Sequence, residues 1–269
     1  MTATYNIYQR ETLDQTPVQI ATGLTSKNYA VSGLTKGKKY LFSVGAVKNG
    51  FEKVSAEIER YALDDSSFIF RTPFHQNTID DAGKVWQAFG ASAISDGALN
   101  LLNNVTTWSY LGTAISNFSR VFTTSDFTIR FKAKFRQVAG DHIFVSCRNY
   151  QQGAGFWLGY VGGLLQLSTY NNSTTPAVSL SSSVPVNTSD FFNFSLERKS
   201  QKFYLYCNEV LVASYEIATA IKAPTSTTIG GAGLGVLSDD TRYLFNGWLK
   251  DFEMINEALG NGGLTTPNF

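Results

Sequence analysis

The sequence predicts an all-β protein in which a short sandwich-like module precedes a larger jelly roll. Three observations carry that reading. Apolar and polar residues alternate with a period of two along much of the chain, as strands with one buried face require. Turn dipeptides recur at short spacing: Ala139-Gly140-Asp141, Gly162-Gly163, Asn171-Asn172-Ser173, Gly230-Gly231 and Asn246-Gly247. The composition favours strands and turns over helices, with 25 Ser, 26 Thr, 18 Asn, 23 Gly and 14% aromatics against only 16% charged residues in 269. Short helical patterns are confined to Ser116–Arg120, Ser214–Ala220 and Met254–Leu259.

Charge and length exclude several functions. There are 22 Lys and Arg against 21 Asp and Glu, a net charge of +1. That balance supplies no footprint for nucleic acid or an anionic membrane surface. No run approaches the roughly 20 apolar residues of a spanning helix, so no membrane insertion is expected. The residues after Met1 have neither the basic nor the apolar region of a secretory signal. Cys147 and Cys207 are 60 positions apart inside apolar alternating runs. They match no metal or redox spacing and are expected as buried thiols.

Composition shifts near residue 62, where Ala62-Leu-Asp-Asp-Ser-Ser67 forms a short polar linker. The expected division is therefore 1–62 and 63–269. Residues 1–62 hold eight of the 22 Lys and Arg, too mild an excess to imply an acidic partner. In the first part, Tyr5-Asn-Ile-Tyr8, Asn28-Tyr-Ala-Val-Ser-Gly-Leu34, Lys39-Tyr-Leu-Phe-Ser-Val-Gly-Ala-Val47 and Glu52-Lys-Val-Ser55 are strand candidates. Their order, and the aromatic-x-x-x-Val-x-Ala pattern of the third, resemble the second half of a fibronectin type III domain. The first two strands of that family, with their Trp, have no counterpart. A half sandwich leaves one sheet uncovered, so Ile7, Tyr40, Phe42 and Val44 are expected to present an apolar docking face. The candidates to cover it are the second part of the chain, another copy of the chain, or a different protein donating strands.

In the second part, Phe127, Ile129, Phe131, Ala133 and Phe135 alternate with Thr128, Arg130, Lys132 and Lys134. Phe192, Phe194 and Leu196, and Phe203, Leu205 and Cys207, repeat the pattern. Phe68-Ile-Phe70, Asp80-Asp-Ala-Gly-Lys-Val-Trp86, Ser125-Asp-Phe-Thr-Ile-Arg-Phe131, Gly155-Phe-Trp-Leu158, Phe203-Tyr-Leu-Tyr-Cys-Asn-Glu209, Thr228-Ile-Gly-Gly231, Phe245-Asn-Gly-Trp-Leu-Lys-Asp-Phe-Glu-Met254 and Thr265-Thr-Pro267 follow in order. Together they resemble a laminin-G-like, concanavalin A-like jelly roll. The whole arrangement looks like a tailed-bacteriophage virion protein, made in the host cytoplasm without a signal peptide, and this resemblance implies other virion proteins, or further copies of the chain, as partners of residues 1–62.

Catalytic chemistry is not evident. The hydrolases of this fold carry paired carboxylates on one strand, and the nearest spacing is Glu57-Ile-Glu59 in the first module. His75 and His142 have no nucleophile elbow nearby and are expected in surface or capping roles. Calcium is the usual ion of the resembled family, which makes Asp80 and Asp81 weak candidates, while Lys250 replaces a usual acidic position. Apart from that, no cofactor is expected. Sugar binding needs exposed aromatic faces beside amides and hydroxyls. Asn103-Asn-Val-Thr-Thr-Trp108-Ser-Tyr110, Arg148-Asn-Tyr150-Gln-Gln152, Trp157 and Tyr160 supply candidates. Trp157 and Tyr160 have odd separation, so one should face outward. Trp86 and Trp248 are expected in the core. The expected function is a non-enzymatic virion structural protein (tail fibre, baseplate or similar) that displays a jelly roll for host-surface polysaccharide. The rivals are a capsid or collar decoration without sugar affinity and a glycan depolymerase.

Overall fold

A computed structural model describes residues 3–26, 29, 31–35, 38–62, 68–72, 86–90, 92–95, 97–103, 109–217, 219–227, 232–237 and 240–259. The chain forms two compact units, one on residues 1–64 and one on 65–264. No helix among the described residues is long and apolar enough to cross a membrane.

The first unit is a single antiparallel sheet of five described strands: β1 (Thr4–Arg10), β2 (Val18–Leu24), β3 (Lys39–Lys48), β4 (Phe51–Val54) and β5 (Ile58–Tyr61). Its order is β2-β1-β3, with β4 and β5 pairing successive parts of β3. The β3–β4 hairpin turns through Asn49 and Gly50, both at positive φ, the pairing expected of a two-residue turn. The described residues within 28–34 are not strand, unlike the expectation for that segment.

The two faces of this sheet differ. On one face, Asn6 Nδ2 and Tyr8 OH donate to Glu52 at 2.8 Å, and Asn6 Oδ1 accepts from Thr22 Oγ1 and Gly23 N. Gly45 leaves room for that carboxylate: a Cβ there would lie 1.9 Å from Glu52 Oε1. Arg10 pairs with Glu57 at 2.5 Å on the same face. The opposite face carries the predicted docking residues in register, with Ile7 opposite Val44 and Gln9 opposite Phe42. Val44 is exposed, and Ile7 and Phe42 are half-buried. Tyr40 departs from the expectation and is buried. Its hydroxyl accepts from Thr35 N at 2.9 Å, and its ring packs near Phe42 and the Lys38 ammonium.

The second unit contains, in chain order, β6 (Phe68–Thr72), β7 (Gln87–Gly90), β8 (Ala93–Ser95), β9 (Ala98–Leu101), β10 (Ser109–Thr113), a 3₁₀ helix (Ile115–Phe122), β11 (Phe127–Phe135), β12 (His142–Asn149), β13 (Ala154–Val161), β14 (Leu164–Asn171), β15 (Val178–Ser183), β16 (Phe192–Lys199), β17 (Lys202–Cys207), β18 (Val210–Glu216), β19 (Ala232–Leu234), β20 (Val236–Leu237), β21 (Asp240–Leu244) and β22 (Gly247–Ile255). Among the described residues, seven strands form one sheet in the order β15-β14-β13-β12-β19-β10-β7. Eight form the other, β18-β17-β16-β11-β22-β9-β8 with β6 on β22, and β20–β21 is a separate hairpin. Two facing sheets with a shared apolar interior make the expected jelly-roll sandwich.

The interior follows from the alternation. Phe127, Ile129, Phe131, Ala133 and Phe135 are fully buried, whereas Arg130 and Lys134 on the opposite face of β11 keep some exposure. Phe144 bridges the sheets, its ring 5.2 Å from Phe131, 5.0 Å from Phe194 and 5.2 Å from Phe245. Trp86 is buried edge-on against Phe118 and Phe252, as expected. Cys147 and Cys207 are buried free thiols, and burial pushes them up to about 12 and about 11.

Several expectations change in this unit. Ser214–Glu216 belongs to β18 and Met254–Ile255 to β22, because pairing with β17, β11 and β6 overrides a weak helical pattern. His142 is buried between the rings of Phe135 and Phe245, rather than capping a surface turn. Trp248 lies outside the core, half-buried on the outer face of the eight-stranded sheet opposite Lys134. Arg198 extends the inward row of β16 and is fully buried. Its guanidinium donates to the carbonyls of Thr123, Ile217 and Thr219 and stacks on Phe203.

Candidate functional site

The outer face of the seven-stranded sheet brings one group of predicted residues together. Cross-strand register places Arg148 of β12, Gly155 of β13 and Tyr170 of β14 in one row, and Ser146, Trp157 and Ser168 in the next. Gly155 adopts φ +101°, and a Cβ there would meet the Cys147 carbonyl at 2.0 Å. With no side chain between them, Arg148 reaches across β13 to Tyr170. Arg148 Nη1 donates to Tyr170 OH at 3.2 Å, and Trp157 Nε1 donates to the same oxygen at 3.4 Å. The guanidinium carbon is 5.4 Å from the Tyr170 ring and 5.5 Å from the Tyr150 ring, a doubly cation–π-braced position.

Tyr150 lies in the β12–β13 turn at the end of this row and is 48% exposed. The turn holds it by a dense local network. Asn149 Oδ1 accepts from Gln152 N at 3.0 Å, and Gly153 N donates to the Tyr150 carbonyl at 2.9 Å. Residues 222–226 brace the turn from outside. Gln152 exchanges hydrogen bonds with Thr225, donating to Oγ1 at 2.8 Å and accepting from N at 3.0 Å. Asn149 Nδ2 donates to the Ser226 carbonyl, and Lys222 Nζ to the Gln152 carbonyl. The Asn171–Thr175 loop approaches closely enough that a Cβ on Gly153 would lie 2.4 Å from Ser173 N. The result is an exposed ring on a braced turn, beside the exposed residues Gln151, Asn172, Ser173, Thr174 and Thr175. That combination can stack a sugar face and bind its hydroxyls.

Other predicted residues sit elsewhere. Trp157 and Tyr160 do lie on opposite faces of β13, but neither ring is open. Tyr160 enters the core, 5.4 Å from Phe135. Trp157 is the outward one, and it is covered by a small apolar cluster with Ile143, Tyr170 and Leu237. Leu237 arrives on the β20–β21 hairpin, which also ties down through Ser146 Oγ donating to the Val236 carbonyl at 2.8 Å. Tyr110 is buried and stacked on Phe89 at 4.6 Å, with burial pushing its phenol pKa up. Asn103 offers no free amide, since it donates to the Ser109 and Phe245 carbonyls and accepts from Ser109 N. Trp108, His75, Asp80 and Asp81 lie outside the described residues. Among the described residues no group of three or more His, Cys, Asp or Glu is placed to hold a metal ion. Glu57 of the nearest carboxylate pair is engaged by Arg10.

Sequence reading missed Tyr170 and the 222–226 brace. Tyr170 alternates out of phase with the buried Leu165 and Leu167, which marks it as an outward residue. The brace is contributed some 70 positions away and has no local signal.

Comparison with known proteins places the fold. The family model Laminin_G_3, of the concanavalin A-like lectin/glucanases superfamily, matches residues 109–262. No curated protein matches the sequence. Among solved structures, the chain is similar to the binding domain of botulinum neurotoxin DC in complex with rat synaptotagmin II. Identity is 12% and the TM-score 0.57, over 73% of this chain and 49% of that one. It is also similar to the botulinum neurotoxin serotype C1 binding domain, at 14% identity and TM-score 0.53, over 73% and 50%. Domain 4 of AbnA, a GH43 extracellular arabinanase from Geobacillus stearothermophilus, in complex with arabinotriose, is similar at 13% identity and TM-score 0.55, over 74% and 97%. The chain spans about half the length of the neurotoxin domains it matches. At these identities the likeness is one of fold.

Proposed function

From the premise that the chain belongs to the concanavalin A-like lectin/glucanases superfamily, its family model matching more than half of the residues, we propose that it is a non-enzymatic display protein whose jelly roll binds glycan at the Tyr150 end. The observation that carries this reading is the exposed Tyr150 ring, fixed by Arg148, Tyr170 and the Gln152–Thr225 clasp among exposed amides and hydroxyls. The similar AbnA domain was solved with arabinotriose, and the similar neurotoxin chains are binding domains, which supports binding over catalysis. The first unit supports an attachment role through its apolar face, with other proteins of a particle or further copies of the chain as partners. Its fibronectin-like strand sequence beside a jelly roll favours a bacteriophage virion as that particle.

A multivalent array of bacterial surface glycans tests the binding role. Retention of the intact chain by at least one glycan is expected, with loss of about tenfold or more in Tyr150→Ala. Silence across the array at high density overturns the adhesin reading and leaves a purely structural decoration. Shortened products after incubation with the polysaccharide overturn the non-enzymatic one. Detection of the chain in purified particles tests the virion assignment, and its absence from them refutes it.

A further inference from the structure

A second cluster lies on the outer face of the eight-stranded sheet, away from the row that holds Tyr150. Register places Lys134 of β11 opposite Trp248 of β22, and Lys132 opposite Lys250. Arg136, just past β11, lays its guanidinium over the Trp248 indole at 4.2 Å, and Lys134 Nζ is 5.8 Å from the same ring. Lys250 Nζ is 4.5 Å from the Phe191 ring.

The ion pairs of this face stop short of the cluster. Arg130 pairs with Glu253 at 2.5 Å, and Lys132 with Asp251 at 2.9 Å. Asp251 sits at φ +51°, at a bulge where β22 slips register against β11, and it serves Lys132 rather than Lys250. Lys134, Arg136 and Lys250 make no ion pair with a described residue. Arg136 is instead oriented by neutral acceptors: Nη2 donates to Asn100 Oδ1 at 2.8 Å and Nε to Asn246 Oδ1 at 3.2 Å. Two cations thus flank the Trp248 indole, and a third, Lys250, lies two positions further along β22 over Phe191. Among the described residues no carboxylate is within ion-pair distance of any of the three, Asp251 being engaged by Lys132. Two donors of the Arg136 fork are engaged, and the guanidinium has five.

A fixed, exposed guanidinium whose charge is not cancelled is suited to a planar anion, which it meets by parallel charge-assisted hydrogen bonds. The flanking ammonium groups add point charges. We propose that this cluster is a second binding site, selective for a saccharide bearing an anionic group on its ring, with Arg136 as the anchoring residue. The saccharide class rests on the glycan-binding reading above. The anion requirement rests on the Arg136–Lys134–Lys250 arrangement alone.

Calorimetric titration of the full chain tests it, with trigalacturonate as the carboxylated probe and a heparin tetrasaccharide as the sulfated one. Maltotriose serves as the neutral control and sodium sulfate as the charge-only control. At least one acidic oligosaccharide is expected to bind, more weakly as salt rises. Binding should fall at least about tenfold in Arg136→Gln. A double variant, Lys134→Gln with Lys250→Gln, should weaken it too, which guards against misfolding of a single variant. Tyr150→Ala should leave it unchanged, and this separates the inference from the proposed site on the other sheet. Failure of both acidic probes overturns the inference. So does undiminished binding in the Arg136 and lysine variants, displacement by sodium sulfate at the concentration of the oligosaccharide, or loss of binding in Tyr150→Ala alone.

Discussion

Strands β3 and β11 each carry an apolar row at every second position, and the two rows have different fates. Tyr40, Phe42 and Val44 occupy every second position of β3, with Leu41 and Ser43 between them, as Phe127, Ile129 and Phe131 do in β11, with Thr128 and Arg130 between them. In β11 all three apolar residues are fully buried. In β3 the burial declines along the strand, from 3% exposure at Tyr40 through a half-buried Phe42 to 38% at Val44. Alternation specifies a strand with two chemically distinct faces. Whether the apolar face is buried depends on what lies opposite it. In the jelly roll the opposing sheet supplies Phe144, Leu158 and Leu167. In the first unit, among the described residues, the Thr35 N–H meets the Tyr40 hydroxyl at one end of the face.

The same truncation in both units gives the largest contrast. Phe144→Ala should cost the jelly roll about 4 kcal/mol, because a ring packed on Phe131, Phe135, Phe194 and Phe245 leaves a cavity that cannot collapse. Phe42→Ala should cost the first unit about 1 kcal/mol or less, since a half-buried ring has less area to lose. All four Trp residues lie at position 86 or beyond, so Trp fluorescence during urea denaturation follows the jelly roll alone. Amide hydrogen exchange of β1 and β3 follows the first unit. Equal costs would mean that the Phe42 face is as closed as the jelly-roll interior, and the contrast would fail.

Polar groups divide the two units in another way. The first unit holds Glu52 and Arg10 in partly exposed polar contacts on one face of its sheet. The jelly roll takes one arginine inside. Arg198 satisfies three carbonyls that close the loops after the 3₁₀ helix and after β18. Arg198→Met should lower jelly-roll stability by about 3 kcal/mol, because the acceptors lose charge-assisted bonds and stay buried. The fluorescence-detected urea midpoint measures this, and a change below about 0.5 kcal/mol would show that water can replace the guanidinium.

Legibility in the sequence follows the same line. Strands and inward rows were readable because period-two alternation is local. Tyr150 was readable because an aromatic among Arg, Asn and Gln at a turn has few interior uses. Arg198 was not, since its place continues an apolar row while its chemistry contradicts it, and only distant carbonyls resolve the conflict. Trp157 shows the limit most clearly. Parity required one of Trp157 and Tyr160 to face outward without saying which, and a hairpin some 80 residues later carries Leu237 over the outward Trp157. Trp248 erred in the opposite sense: an aromatic in a closing strand suggested core, and its register with Lys134 put it outside.

The smallest predicted effect is a pH dependence confined to the jelly roll. His142 is buried, and neither ring nitrogen meets a hydrogen-bond partner among the described residues. Burial holds its pKa below the ordinary histidine value, while the nearby Val138 and Ala139 carbonyls and the Asp141 carboxylate only partly oppose the shift. The unfolded chain therefore takes up this proton more readily than the folded one. Stability is unaffected well above the unfolded pKa of about 6.5. It declines as pH falls through that value, and the loss is complete once pH is below the folded pKa. Between about pH 7.5 and about pH 5.5 the Trp-detected urea midpoint should fall in the native protein. In His142→Leu that part of the slope should disappear, because the replacement keeps an apolar group between Phe135 and Phe245 and removes the titration. The first unit has no histidine, so its exchange protection should be flat over this range. An unchanged slope in His142→Leu would assign the pH response to other groups. A matching slope in the first unit would show that the two units do not unfold independently.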